Sequence, residues 1–245
     1  MPRKTIEQRL QDAVKQFWKT RDRQSRNQGQ GTGDRDRGSR SAVTGGAQMH
    51  GFIDLLRDLI QEQGIPADAI YDRQKLELPG YFRAEKKWDL VVILDGQLIA
   101  AVEVKSQVGS FGNNFNNRAE EAIGIATDLH AAYREGKFVP SPQPWIGFLM
   151  LLEDTPRALA PVGCQEPHFE VFPEFKSASY ADRYQILMTK LVRERIYNSG
   201  CLILSANPVN NRVKLRQPNP ELDFQKFTGS LIGHIQGALL SRKKT

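Results

Sequence analysis

The feature that most constrains this chain is a pair of apolar segments, WDLVVIL (88–94) and QLIAAVEVK (97–105), separated only by Asp95 and Gly96. An Asp-Gly pair supplies the positive backbone angles of a tight hairpin turn, so the two segments read as adjacent antiparallel strands. Both are apolar on both faces, which requires helices above and below the sheet. A chain built on such a hairpin folds as an α/β or α+β layered structure around a mixed sheet.

The hairpin carries three charged residues that a covered sheet does not need. Asp89 stands at its entrance, and Glu103 and Lys105 near its exit, in the arrangement D-x13-E-V-K. Side chains two apart on a strand share a face, so Glu103 and Lys105 point the same way. Desolvating them is costly unless each is paired or holds a metal. Asp89 joins them only if the register permits. A strict two-residue turn sets Asp89 opposite Val102, whereas an odd loop or one bulge brings it to the face of Glu103. A catalytic role therefore predicts a bulge between the two strands. With it, Asp89 and Glu103 are the hard oxygen ligands that suit Mg²⁺. Lys105 can orient a water and offset charge on phosphoryl oxygens, a division of labour that fits phosphodiester hydrolysis. The structural alternative is a buried Glu103–Lys105 ion pair beside a strand-edge Asp89.

Helical periodicity marks further helices at about 4–22, 48–63, 117–135, 178–197 and 221–240, with strands at 145–152 and 201–205. Residues 23–47 are glycine-rich and nearly free of large apolar side chains, which predicts a mobile loop. A polar loop is expected at 106–116. The chain thus divides into an N-terminal helix and basic loop (1–47) and a core with a C-terminal helical extension (48–245).

The net charge is +6, and its distribution says more than its total. Residues 1–47 hold eleven Lys and Arg against five Asp and Glu, while the remainder holds 23 of each. A basic arm on a neutral body suits gripping phosphates, with Arg35, Arg37 and Arg40 as candidate contacts; the alternative is a solvated tail. MPRKTIEQRL lacks the apolar region of a secretory signal, and no apolar run suggests a membrane span. Cys164 and Cys201 lie in unrelated contexts, so a cytoplasmic location without membrane association is the expectation. His50, His130, His168 and His234 are scattered without metal-ligand spacing, and neither GxGxxG nor GxxxxGK[ST] occurs, which excludes motif-borne nucleotide chemistry.

Asn113, Asn114, Asn116, Asn117 and Arg118 crowd directly behind the second strand. Asn pairs bidentately with adenine and Arg with guanine in the major groove of double-stranded DNA. Asn116 or Asn117 can instead cap the following helix. Phe111 and Phe115 read as packing anchors.

The run EVKSQVGSFGNNFNNRAEEAIG (103–124) resembles the signature of XhoI-type restriction endonucleases, a branch of the PD-(D/E)XK nuclease superfamily. So do LPGYFR and KWD within 78–89, SAVTGGAQMHGF (41–52) and PHFEVFPEFKSASYADRY (167–184). The resemblance spans about 8–197, with one departure: V-G-S-F-G lacks the proline of the family's V-G-P-S-F-G. It implies a restriction-endonuclease-like core, and it places the family's D…ExK motif on Asp89, Glu103 and Lys105. It further implies a homodimeric, Mg²⁺-dependent type II enzyme that cuts CTCGAG after the first C, leaving 5′-phosphates, beside a methyltransferase that protects the same site. A two-fold palindrome with two scissile phosphates itself asks for a two-fold protein. Glutamine after E-V-K-S also marks repair nucleases and junction resolvases of this fold, so cleavage by DNA structure is one competitor. A catalytically inactive DNA-binding module is the other.

Overall fold

The computed structural model describes residues 4–29, 46–210 and 212–242. Arg35, Arg37 and Arg40, and the side chain of Asn113, lie outside the described residues.

Helix α1 (Ile6–Gly29) is followed by α2 (His50–Gln61), the short strands β1 (Ile70–Tyr71), β2 (Glu77–Pro79) and β3 (Glu85–Lys87), and the hairpin β4 (Leu90–Leu94) and β5 (Gln97–Gln107). Then come α3 (Phe111–Arg134), β6 (Trp145–Glu153), the single turn α4 (Pro156–Leu159), α5 (Tyr180–Arg193), β7 (Ser199–Val209), β8 (Arg212–Arg216) and α6 (Phe224–Arg242). Six strands form one mixed sheet in the order β1-β4-β5-β6-β7-β8. β5, β6 and β7 run parallel, with antiparallel neighbours on either side. β2 and β3 form a separate hairpin leading into β4.

The sheet is covered on both faces, as the apolar strands require. One face buries Val92, Ala100, Val102 and Ile203 against α1, α2 and α6; the other buries Val91, Ala101, Phe148 and Leu202 against α3 and α5. The first helix belongs to this packing. Phe17 and Trp18 are buried, and Trp18 Nε1 donates to Ser205 Oγ on β7 at 3.0 Å.

Several boundaries differ from the sequence reading. α1 continues through 23–29, part of the expected loop, because RQSRNQ contains no glycine or proline and its long side chains tolerate a helix well. α3 begins at Phe111, so only Val108–Ser110 link it to β5, and the asparagines lie on its first turns. The buried faces of Phe111 and Phe115, four residues apart, set that start. Phe111 stacks on Tyr180 at 5.7 Å and Phe115 meets Tyr184 edge-on at 5.1 Å, the anchoring role expected of them. The N-cap is Ser110, at φ 45° and without a side-chain cap bond, so Asn116 and Asn117 are not caps.

Candidate active site

The hairpin geometry decides whether the three charged residues meet. Leu94 and Gln97 flank a two-residue turn in which Asp95 (φ 51°) and Gly96 (φ 76°) both take positive angles. By that turn alone, Asp89 falls on the wrong face. The register then shifts: Ile93 opposes Leu98, but Val92 opposes Ala100 and Leu90 opposes Val102. Ile99 is the extra residue of a β-bulge, and one step further the register sets Asp89 across from Glu103. The bulge required for a shared face is present.

Glu103 has no solvent exposure, yet neither of its oxygens lacks a partner. Oε2 accepts from Lys86 Nζ at 2.9 Å, and Oε1 is paired with Lys105 Nζ. Asp89 Oδ2 accepts the backbone N–H of Val104 at 2.8 Å, which ties the first strand's carboxylate to the second strand's backbone. Burial, reinforced by the nearby Glu103 charge, pushes the Asp89 carboxyl up to about 6. Burial alone lowers the Lys105 ammonium, but the Glu103 and Asp89 carboxylates outweigh it and its pKa is raised. Lys105 therefore stays charged at neutral pH.

Glu103 and Lys105 face a cleft of about 370 Å³ between β5 and α3, lined also by Arg83, Lys86, Arg118 and Glu121. Arg118, on the second turn of α3, donates to Glu121 Oε2 at 2.5 Å, and its buried Nε has no hydrogen-bond partner among the described residues. Arg118 thus belongs to the cleft that holds Glu103 and Lys105. Of the other candidates, Asn114 is half-buried, and Asn116 and Asn117 are exposed along the start of α3.

Lys86 is the residue that sequence reasoning missed. It lies on β3, three positions before Asp89, within a stretch valued only for its family resemblance. Nothing in EKKWD distinguishes the lysine that meets Glu103 from its neighbour; the β2–β3 pairing does so.

Among the described residues, no group of three or more His, Cys, Asp and Glu side chains is placed to hold a metal ion. The donor set is the two carboxylates of Asp89 and Glu103. Such a set fits a small hard dication that keeps several waters and takes further oxygens from a phosphate. Burial, with the Glu103 charge, raises the Asp89 pKa, and a bound cation favours the ionised form that both oppose.

Comparison with known proteins identifies the family. The family described as restriction endonuclease XhoI matches residues 28–215, so the likeness runs through β8, beyond the limit near 197 set by the recognised motifs. The type II restriction enzyme BstVI of Geobacillus stearothermophilus is 49% identical over 215 residues, covering 84% of this chain and 96% of that protein. The type II restriction enzyme XhoI of Xanthomonas vasicola is 47% identical over 186 residues, covering 73% and 72%. AbrI of Azospirillum brasilense, also a type II restriction enzyme, is 47% identical over 165 residues, covering 66% and 73%. No solved structure matches the chain. The matched residues include the bulged hairpin and its three charged groups, and the chain belongs to the XhoI restriction endonuclease family, as a type II site-specific deoxyribonuclease.

Proposed function

We propose that the protein hydrolyses both strands of CTCGAG after the first C, using Mg²⁺ held by Asp89 and Glu103. The observation that carries this reading is the Ile99 bulge, which brings Asp89, Glu103 and Lys105 to one face beside a cleft. In hydrolysis, a water oxygen bonds to phosphorus and the P–O3′ bond breaks, leaving a 5′-phosphate and a 3′-hydroxyl. A bound dication supplies charge neutralisation on the phosphoryl oxygens and a lower pKa for water. Lys105 orients that water and offsets charge building on the phosphoryl oxygens. Arg118 and Lys86, across the same cleft, hold the neighbouring phosphate oxygens. The protein acts as a homodimer in the cytoplasm, with a methyltransferase protecting the same palindrome; no helix among the described residues is long and apolar enough to cross a membrane.

Digestion of a sequenced plasmid with Mg²⁺, followed by sequencing of the fragment ends, tests the proposal. Ends at every CTCGAG, each starting with TCGA, support it. Ends at branched structures, or binding without any cut, support the repair-nuclease and inactive-module alternatives respectively.

Base reading falls to Asn114 and Asn116 on the first turns of α3. Asn114→Ala should weaken binding to the cognate duplex by about 1–3 kcal/mol while barely changing binding to random DNA at the same salt. Equal losses on both duplexes would assign the asparagine to the phosphate backbone. The basic arm is the phosphate grip. Neutralising Arg35, Arg37 and Arg40 together should weaken binding to all DNA and reduce the slope of log K against log salt by up to about 0.9 for each phosphate no longer neutralised. An unchanged slope would make the arm a solvated tail.

A further inference from the structure

Four aromatic side chains among the described residues stand well out to solvent: Tyr81 (55% exposed), Phe82 (73%), Phe169 (88%) and Phe172 (69%). Their electrostatic settings differ. Phe169 and Phe172 sit among Glu166, Glu170 and Glu174, which are already paired with Lys176 and Lys190, and Lys190 lies over the Phe172 ring at 4.8 Å. Tyr81 and Phe82, at the tip of the β2–β3 hairpin, are followed by Arg83, Lys86 and Lys87, of which Arg83 is paired with Asp128 and Lys86 with Glu103 at the rim of the cleft.

The tip is also mounted rigidly. Asp128, buried on α3, accepts the backbone N–H groups of Tyr81 and Phe82, each at 2.8 Å, and Arg83 Nε at 2.6 Å. Gly80 closes the turn, since a Cβ there would run into Asp128 Oδ2 and lie 2.8 Å from the Arg83 carbonyl oxygen. Three hydrogen bonds to one buried carboxylate thus fix a loop whose two rings, edge-on at 4.9 Å, remain in solvent. Holding apolar rings rigidly in water gains the monomer nothing, whereas a pre-ordered contact binds at lower entropic cost. Arg83, adjacent to Phe82, lines the same cleft as Glu103 and Lys105.

We propose that the Tyr81–Phe82 tip is a wedge that stacks between bases of the substrate duplex beside the scissile phosphate. The inference rests on the proposed nuclease reading and deepens it. A duplex exposes base faces only where a step is opened, and inserted apolar side chains open such steps. Aromatic stacking on a base is favourable for any base, so the wedge positions and deforms the duplex more than it reads it.

The test uses the full-length protein with Ca²⁺ in place of Mg²⁺. The probe is a CTCGAG duplex in which 2-aminopurine, fluorescent when unstacked, replaces the adenine opposite the base after the cut. Wild-type binding should raise the fluorescence. Phe82→Ala should abolish that rise and weaken cognate binding about ten-fold or more, with the salt slope, oligomeric mass and unfolding midpoint unchanged. Phe82→Trp should retain both. Unaltered fluorescence and affinity in Phe82→Ala would overturn the proposal. So would a drop in affinity together with dissociation into monomers, which would make the tip an interface between copies of the chain. If the wild type cuts plasmid elsewhere, only the CTCGAG assignment fails, and the same comparison on a probe built from the sequenced ends still decides the wedge.

Discussion

Asp89→Asn should abolish cleavage and, without divalent metal, make the protein more stable above pH 6. The asparagine keeps an oxygen for the Val104 N–H but loses the charge that burial and Glu103 oppose. Because the Asp89 pKa is raised from 3.8 to about 6, the folded state favours the protonated acid. That stabilising contribution is fully present below the unfolded value of 3.8 and is lost as pH rises through about 6. At pH 7 and above the wild type carries the full penalty, about 2–3 kcal/mol at roughly 1.4 kcal/mol per pH unit. Urea unfolding at pH 8 should therefore place Asp89→Asn above the wild type by about that amount, and at pH 3 the two should coincide. A variant less stable than the wild type at pH 8 would mean that Asp89 is held by favourable partners. Function here works against stability, as expected where a site is built to receive a cation.

Glu103→Ala should also abolish cleavage, with the opposite effect on stability. From sequence, removing any of the three charged groups relieves crowded carboxylates, so stability should hold or rise. The geometry separates the two acids. Glu103 is paired with both Lys86 and Lys105, and its removal leaves two ammonium groups facing each other across the space it filled. Breaking a buried pair costs about 3–5 kcal/mol; both lysines reach the cleft, so a loss near 3 kcal/mol is expected. Adding Lys86→Met should recover part of it, because one unpaired cation is then removed. Denaturant titration of the wild type, both single variants and the double variant measures the coupling. A Glu103→Ala protein as stable as the wild type would show that the two lysines do not depend on Glu103.

The core of this site was legible from periodicity and chemistry alone. The hairpin and its turn followed from two apolar segments around Asp95-Gly96, and the demand for a bulge from the even separation of Asp89 and Glu103 across a two-residue turn. Position 99 could not be named in advance, because a bulge anywhere between Asp89 and Glu103 would have met the same parity condition. The start of α3 was hidden by composition: glycine and asparagine weigh toward loop, and only the packing of Phe111 and Phe115 under α5 turns that segment into helix. β1, β2, β3 and β8 were missed because strands of two to five residues carry little pattern of their own. With β3 went Lys86, whose pairing with Glu103 depends on a chain reversal rather than on spacing.

In the proposed mechanism, Asp89, Glu103 and Lys105 surround one metal-dependent hydrolytic centre. Fe²⁺ substituted for Mg²⁺, in the presence of ascorbate and peroxide, cuts the polypeptide beside its own binding site. Mass spectrometry of the fragments should find scission confined to the neighbourhood of residues 89 and 103–105, and no scission in Asp89→Asn. Cuts clustered elsewhere, or unchanged in that variant, would contradict the assignment.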